Sequence, residues 1–371
     1  MRFIFSIVLV GLSLLSGSSV LAAETENDFK ERILHGKVLE VLKEDVREVP
    51  GTQTEYLYQE INAEILEGPR KGEQILIEND YFELQKGDKF YFNNFIDING
   101  QEVSGVISID RKDSLILLVL IFVAVVVAFG GWQGVRSLVA LAASFIAIFY
   151  ILMPGILEGW NPLFASIAVA TGILFAAIFF THGFNRESVV AYTGTMISVV
   201  LTGFFAVFAV GLTSLSGFAA EESVYLNFGT QGTLDFTALL LGAIIIGALG
   251  VLDDIAVTQA AVVTELFNSN DSLTRREVYM KAIRVGREHV GALVNTLVLA
   301  YTGAALPLLL YFYLSPAGFG ASINSELFAT EIVRTIVGSI GLILAVPIVT
   351  LLAVFFLKGY TKNQSHTHSH I

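Results

Sequence analysis

The chain reads as a mainly α-helical polytopic membrane protein, with seven transmembrane helices after an N-terminal signal and a small extracytoplasmic β-barrel of OB-like design. Three observations predict this class. Hydrophobic residues make up 54% of the 371 and charged residues 15%, and the apolar ones gather in runs long enough to cross the roughly 30 Å hydrocarbon layer. Between residues 24 and 112 the chain is instead polar and reads in short strand-like patches. Beyond that segment, basic residues fall on alternate links between apolar runs.

The first residues are Met1 and Arg2, then an apolar run from Phe3 to Leu15, then a small-residue segment from Gly17 to Ala23. A charged start, an apolar stretch and the Val20-Leu21-Ala22 site describe residues 1–23 as a signal peptide, cleaved after Ala22 or Ala23, or as an uncleaved signal anchor. Both place the following segment outside the cytoplasm.

Residues 24–112 carry 20 acids against 11 bases, most of the net charge of -12, so nucleic acid is excluded as a partner for this segment. Strand-like patches run from Val38 to Val41, Tyr56 to Ile65, Gln74 to Ile77, Lys89 to Phe95 and Val103 to Ile109. Gly68-Pro69, Lys86-Gly87-Asp88 and Asn99-Gly100 punctuate them as turns. Five short strands in about eighty residues predict a small OB-like barrel. Its aromatics, Tyr81, Phe82, Phe90, Tyr91, Phe92 and Phe95, are read as core, with a ligand-stacking face as the alternative.

Residues 113–357 hold the apolar segments, near Ser114–Gly130, Ser137–Ile156, Pro162–Phe180, Ser188–Leu212, Phe236–Val257, Val290–Phe312 and Ile332–Leu357. With the β domain outside, the cytoplasmic links and tail contain Arg136, Arg186, Arg275, Arg276, Lys281, Arg284, Arg287, Lys358 and Lys362. The opposite loops, 157–161, 213–235 and 313–331, contain no Lys or Arg. This asymmetry predicts an extracytoplasmic barrel and a cytoplasmic C-terminus. Thr274-Arg275-Arg276-Glu277 fits a capping box opening a basic amphipathic helix near residues 274–288, suited to an anionic inner leaflet or simply an ordinary positive link. The tail 358–371 carries His366, His368 and His370 and is read as solvated rather than as a metal site.

One chemical feature stands out in the apolar runs. Asp253 and Asp254 sit between Phe236 and Phe267, a stretch otherwise almost wholly apolar until Glu265. A carboxylate near mid-membrane costs roughly 2.5 kcal/mol or more, so it faces protein or water and often marks an ion or proton path. Ala243, Gly247, Gly250 and Asp254 share a stripe of small residues on which another helix can approach closely. That spacing favours Asp254 as the buried carboxylate and puts Asp253 nearer lipid or the interface. The same stripe continues through Thr258 to Glu265, while Asn295 on the next span is an additional polar partner. Asp254, Asp253, Thr258, Asn295 and Glu265 are therefore the candidates for coupling to a proton or a monovalent cation. The alternative is an interfacial cap or an Asp satisfied by a neighbouring helix. Thr195, Ser198 and Thr202 recur on one helical face as glue between helices, and Glu331 and Arg334 are spaced for an ion pair.

The chain has no cysteine, which excludes disulfides, thiolate metal sites and thiol nucleophiles. It also carries no Walker loop, nucleophile elbow, zinc-type histidine helix or dinucleotide fingerprint. The expectation is a protein that is not an enzyme and needs no cofactor or metal.

The block from Gly247 to Ala260, GALGVLDDIAVTQA, with Val285-Gly-Arg-Glu-His289, Asn295 to Gly303 and Leu306-Pro-Leu-Leu-Leu310, resembles the YibE/F family of bacterial membrane proteins. The resemblance implies a multi-pass protein of the bacterial cytoplasmic membrane and supplies no substrate. The layout of an acid within a span, a Glu about eleven residues on, a cytosolic helix and two further spans is similar to the resistance, nodulation and division permeases and the related Sec accessory proteins. That similarity implies a five-span core with Asp254 or Asp253 in the proton-relay place. The single small β domain and the extra leading spans depart from it.

Two functional readings follow. The first is a secondary transporter or exporter coupled to a proton or cation at Asp254. The second is a scaffold or accessory subunit whose β domain binds an envelope protein or polymer. Both are embedded in the lipid bilayer, and the small-residue stripes fit internal packing and oligomerisation alike.

Overall fold

The computed structural model describes residues 32–358, apart from 50, 53, 97–99, 101, 271 and 317. The expected signal and the histidines of the tail lie outside the described residues. The described residues form two compact units, divided between Phe129 and Gly130.

In the first unit, β1 (Arg32–Glu48), β2 (Glu55–Ile65), β3 (Gln74–Asn79), β4 (Lys89–Ile96) and β5 (Glu102–Ile109) close into a barrel of order β1-β2-β3-β5-β4. β3 and β5 run parallel, the other pairs antiparallel. β1 is long enough to pair with both β2 and β4. Irregular register between Val38 and Glu40 and between Val41 and Lys43 bends it around the barrel. The alternation expected of half-buried strands puts Val38, Ile61, Ala63, Ile65, Ile77, Leu84, Phe90 and Phe92 inside. Of the six aromatics expected in the core, Phe90 and Phe92 are fully buried, Phe82 packs against the cluster and Tyr81 is 71% exposed.

A polar group is also buried there, and it is fully bonded. Gln59 donates from Nε2 to Glu44 at 2.9 Å and to the Leu84 carbonyl at 3.1 Å. Its Oε1 accepts from Asn79 Nδ2 and from the Leu84 amide, both at 2.9 Å. Asn79 in turn bonds Phe82 at both its amide and its carbonyl, which fixes the loop after β3.

The helices are α1 (Lys112–Ala147), a π turn (Ile148–Leu152), α2 (Met153–Leu157), α3 (Pro162–His182), α4 (Arg186–Thr213), α5 (Glu221–Gly229), α6 (Phe236–Ser269), α7 (Arg275–Ala304), α8 (Leu306–Leu314), α9 (Gly318–Ile323) and α10 (Glu326–Phe356). Side-chain caps start several of them: Asn161 for α3, Asn185 for α4, Asp235 for α6 and Ser325 for α10. The capping box of Thr274 and Glu277 opens α7 as its sequence predicts.

Five helical stretches are long and apolar enough to cross a membrane, or six if α7 and α8, bent by 61°, count as one. The difference from seven arises at one glycine. The expected spans Ser114–Gly130 and Ser137–Ile156 run together as a 46-residue stretch, Lys112–Leu157, interrupted at Gly131 with φ 54 and ψ -137. This is a backbone conformation that glycine adopts without a Cβ penalty.

α6 is the central helix of the second unit and packs on α3, α4 and α10. Its buried side carries large branched residues, among them Ile244, Ile245, Leu249, Leu252 and Ile255. Thr195, Ser198 and Thr202 on α4 are buried, each hydroxyl donating to the carbonyl four residues back. Glu331 and Arg334 on α10 form the expected pair at 2.8 Å.

Candidate ion-coupling site

α6 carries both aspartates, and the structure reverses their expected placement. Asp254 is exposed, together with Ala243, Gly247 and Gly250 of its stripe and Thr258 and Glu265 beyond it. Asp253 is the one turned inward. The physical reason is that α6 meets its neighbours through its bulky branched face. The small-residue stripe lies on the side that α3, α4 and α10 leave uncovered. Small residues permit close approach but do not require it, whereas burial of large apolar side chains fixes the orientation.

Asp253 borders a cleft of about 300 Å³ between α1, α3 and α6. Ser137 and Ser144 of α1, Thr181 and His182 of α3 and Gly250 of α6 also line it. The Ser144 hydroxyl donates to the Ala140 carbonyl at 2.9 Å, so its proton is already committed. The Asp253 Oδ1 atom is enclosed and has no hydrogen-bond partner among the described residues. An enclosed carboxylate oxygen without a donor is costly to keep as an unpaired charge.

A second, smaller cleft of about 140 Å³ lies at the same end of α3. His182, Asn185, Glu187 and Ser188 line it with Ala191 and Val257. Asn185 is fully used: its Oδ1 accepts from the Ser188 amide at 2.7 Å and its Nδ2 donates to the His182 carbonyl at 3.0 Å. Glu187 accepts from the Thr264 hydroxyl of α6 at 3.2 Å. Ser188 is 3% exposed, and its hydroxyl has no partner among the described residues.

Asp253 and Asp254 are neighbours in sequence, but no hydrogen bond or ion pair joins either to Thr258, Asn295 or Glu265 among the described residues. Asn295 is exposed. The sequence reading missed His182, whose only signal was its position at the end of an apolar run just before Gly183. It also missed Gln259, an amide on the bulky face of α6. Gln259 is buried and donates from Nε2 to the Ala282 carbonyl of α7 at 3.0 Å and to Thr350 of α10 at 2.7 Å.

The barrel has its own polar cluster. His35 Nε2 lies 2.9 Å from Asp110, its Nδ1 lies 3.4 Å from Glu67, and its ring stacks on Tyr91 with centroids 4.7 Å apart. Burial, and then the negative charges of Asp110 and Glu67, push the Tyr91 hydroxyl above its ordinary range.

No curated protein and no solved structure matches the chain. The family described as YibE/F-like protein matches residues 118–359, which is more than half of the sequence and includes every residue named as lining the two clefts. The chain therefore belongs to the YibE/F-like protein family of helical membrane proteins.

Proposed function

We propose that the protein is a secondary transporter or exporter coupled to a proton or monovalent cation, and that Asp253, in place of Asp254, carries the coupling ion. The single observation behind this reading is the enclosed, partnerless Oδ1 of Asp253 on the central apolar helix. A carboxylate kept in such a place without a structural donor suits reversible neutralisation. The lining of both clefts contains carboxylates, hydroxyls and an imidazole but no Lys or Arg, which suits a cationic species.

The accompanying topology has seven crossings, with the barrel outside and the C-terminus in the cytoplasm. At about 1.5 Å per residue, Lys112–Leu157 is about 69 Å long, roughly twice the hydrocarbon thickness. That length is enough for two crossings, and the bent α7–α8 pair gives one more. The distribution of Lys and Arg between alternate loops supports this orientation.

Everted membrane vesicles that hold a respiration-driven pH gradient, reported by an acid-trapped fluorescent dye, test the reading. A panel of cations and cationic solutes is added in turn. Dissipation by one of them in wild type, absent from an equally abundant Asp253→Asn protein, supports coupled transport. Equal dissipation by both proteins contradicts it.

A second reading, a scaffold that binds an envelope component, is favoured by the apolar residues displayed on the barrel, including Ile33, Leu76, Tyr81 and Ile96. It is separated from the first by deleting residues 24–112 in the same vesicles, since a scaffold shows no Asp253-dependent signal with or without the barrel.

A further inference from the structure

We propose that His182 is the relay through which protons pass between the Glu187–Ser188 cleft and Asp253; this rests on the reading of Asp253 as the coupling carboxylate. His182 lines both the 300 Å³ cleft of Asp253 and the 140 Å³ cleft of Glu187 and Ser188.

The local structure fixes the residue's backbone and leaves its ring open. His182 is the last residue of α3, and its carbonyl is held by Asn185 Nδ2. The residue is exposed, and its imidazole makes no hydrogen bond, ion pair or ring contact among the described residues. An imidazole with two accessible nitrogens can accept a proton on one and release a proton from the other.

The second cleft is built for a polar occupant. The buried, unpartnered Ser188 hydroxyl needs a partner, and Glu187 is steadied by Thr264. Water held there supplies both needs. Besides His182, the ionisable groups lining the two clefts are Glu187 from α4 and Asp253 from α6, with Arg186 next to Glu187 in the chain; α1 contributes the hydroxyls of Ser137 and Ser144. No basic group among the lining residues opposes the passage of a positive charge.

The step balances simply. A hydronium in the Glu187–Ser188 cleft gives a proton to one ring nitrogen and is left as water, and His182 becomes imidazolium. The proton on the other nitrogen leaves through water in the larger cleft and adds to the Asp253 carboxylate. The ring returns to neutral with its tautomer exchanged, and a ring turn resets it. No electron moves, and one positive charge is transferred.

The test uses full-length protein in liposomes, following the carboxylic-acid carbonyl band by infrared spectroscopy after a pH jump. The Asp253 band is the one that Asp253→Asn removes. In His182→Ala the band should reach the same final amplitude but at least about tenfold more slowly, and free imidazole should restore the rate. Glu187→Gln should slow it as well. His182→Gln keeps a side chain of similar polarity that does not titrate, so it should stay slow; a wild-type rate in His182→Gln assigns His182 a structural role and overturns the relay. An unchanged rate in His182→Ala overturns it too. If wild type shows no band that Asp253→Asn removes, the Asp253 reading itself fails along with the relay.

Discussion

Gln259 Nε2 donates to Thr350 Oγ1 at 2.7 Å and thereby ties α6 to α10, while its second bond, to the Ala282 carbonyl, ties α6 to α7. The three helices meet in a buried polar contact immediately beside apolar packing. Thr350 also donates to Val346 in its own helix at 2.6 Å, so its oxygen is free to accept from the amide.

Replacing Gln259 by Leu should therefore lower the stability of the detergent-purified protein by about 1–2 kcal/mol, near the upper end for polar contacts between membrane helices. Thr350→Val should cost less, about 0.6 kcal/mol, and the two losses should be less than additive in a double-mutant cycle. Gly286→Ala should be worse than either. A Cβ at Gly286 would lie 2.9 Å from Gln259 Oε1 and 2.5 Å from a methyl of Val346, so these side chains or the helices that carry them must shift. Thermal unfolding of the purified variants checks the order.

In the barrel, Gln59→Leu should cost about 1–3 kcal/mol because it strands the Leu84 amide and removes one of the acceptors of Asn79. Phe92→Ala should cost about 3–5 kcal/mol through the cavity it leaves. Urea unfolding of the isolated fragment 24–112, followed by circular dichroism, measures both. A fragment lacking cooperative unfolding would contradict a barrel held by its own core.

Glu102 gives the barrel a signed pH dependence. Its hydrogen bond from Asn94, then that from Arg70, hold its carboxyl below the usual carboxylate range. A folded-state value below the unfolded one means that the contribution is present above the unfolded value and is lost as pH falls through the folded one. The side chain is 45% exposed, so solvent screening limits the effect to less than about 1 kcal/mol. Glu102→Gln should be slightly less stable than wild type near neutrality and should converge with it in acid. A constant difference at every pH would contradict this.

The orientation is directly testable because the natural chain lacks cysteine. Glu158→Cys should react with a membrane-impermeant maleimide in intact cells. Lys281→Cys should react only after the membrane is opened. The reverse pattern would invert the topology.

The barrel was legible because each of its five strands announces itself by alternation and by Gly or Asn at the turns. The π-helical turn and the extension of β1 to Glu48 carry no comparable pattern. The cap of α7 was equally plain from Thr274 and Glu277. The choice between Asp253 and Asp254 was not legible, since adjacent helical residues differ by about 100° in direction and the neighbours of α6 decide which one is covered. Ala243, Gly247 and Gly250 pointed to close packing, but Ile245, Leu249 and Leu252 took the inward side. Gln259 was hidden because its partners, Ala282 and Thr350, come from segments distant in sequence, and His182 because the clefts it lines are completed by residues of other helices.

The most direct test is complementation of a strain lacking the gene, grown across a panel of solute, pH and inhibitor stresses, with membrane levels matched. Under a condition in which wild type rescues growth, Asp254→Asn should rescue it and Asp253→Asn should not. Rescue by Asp253→Asn, or loss confined to Asp254→Asn, would contradict the assignment of the coupling carboxylate.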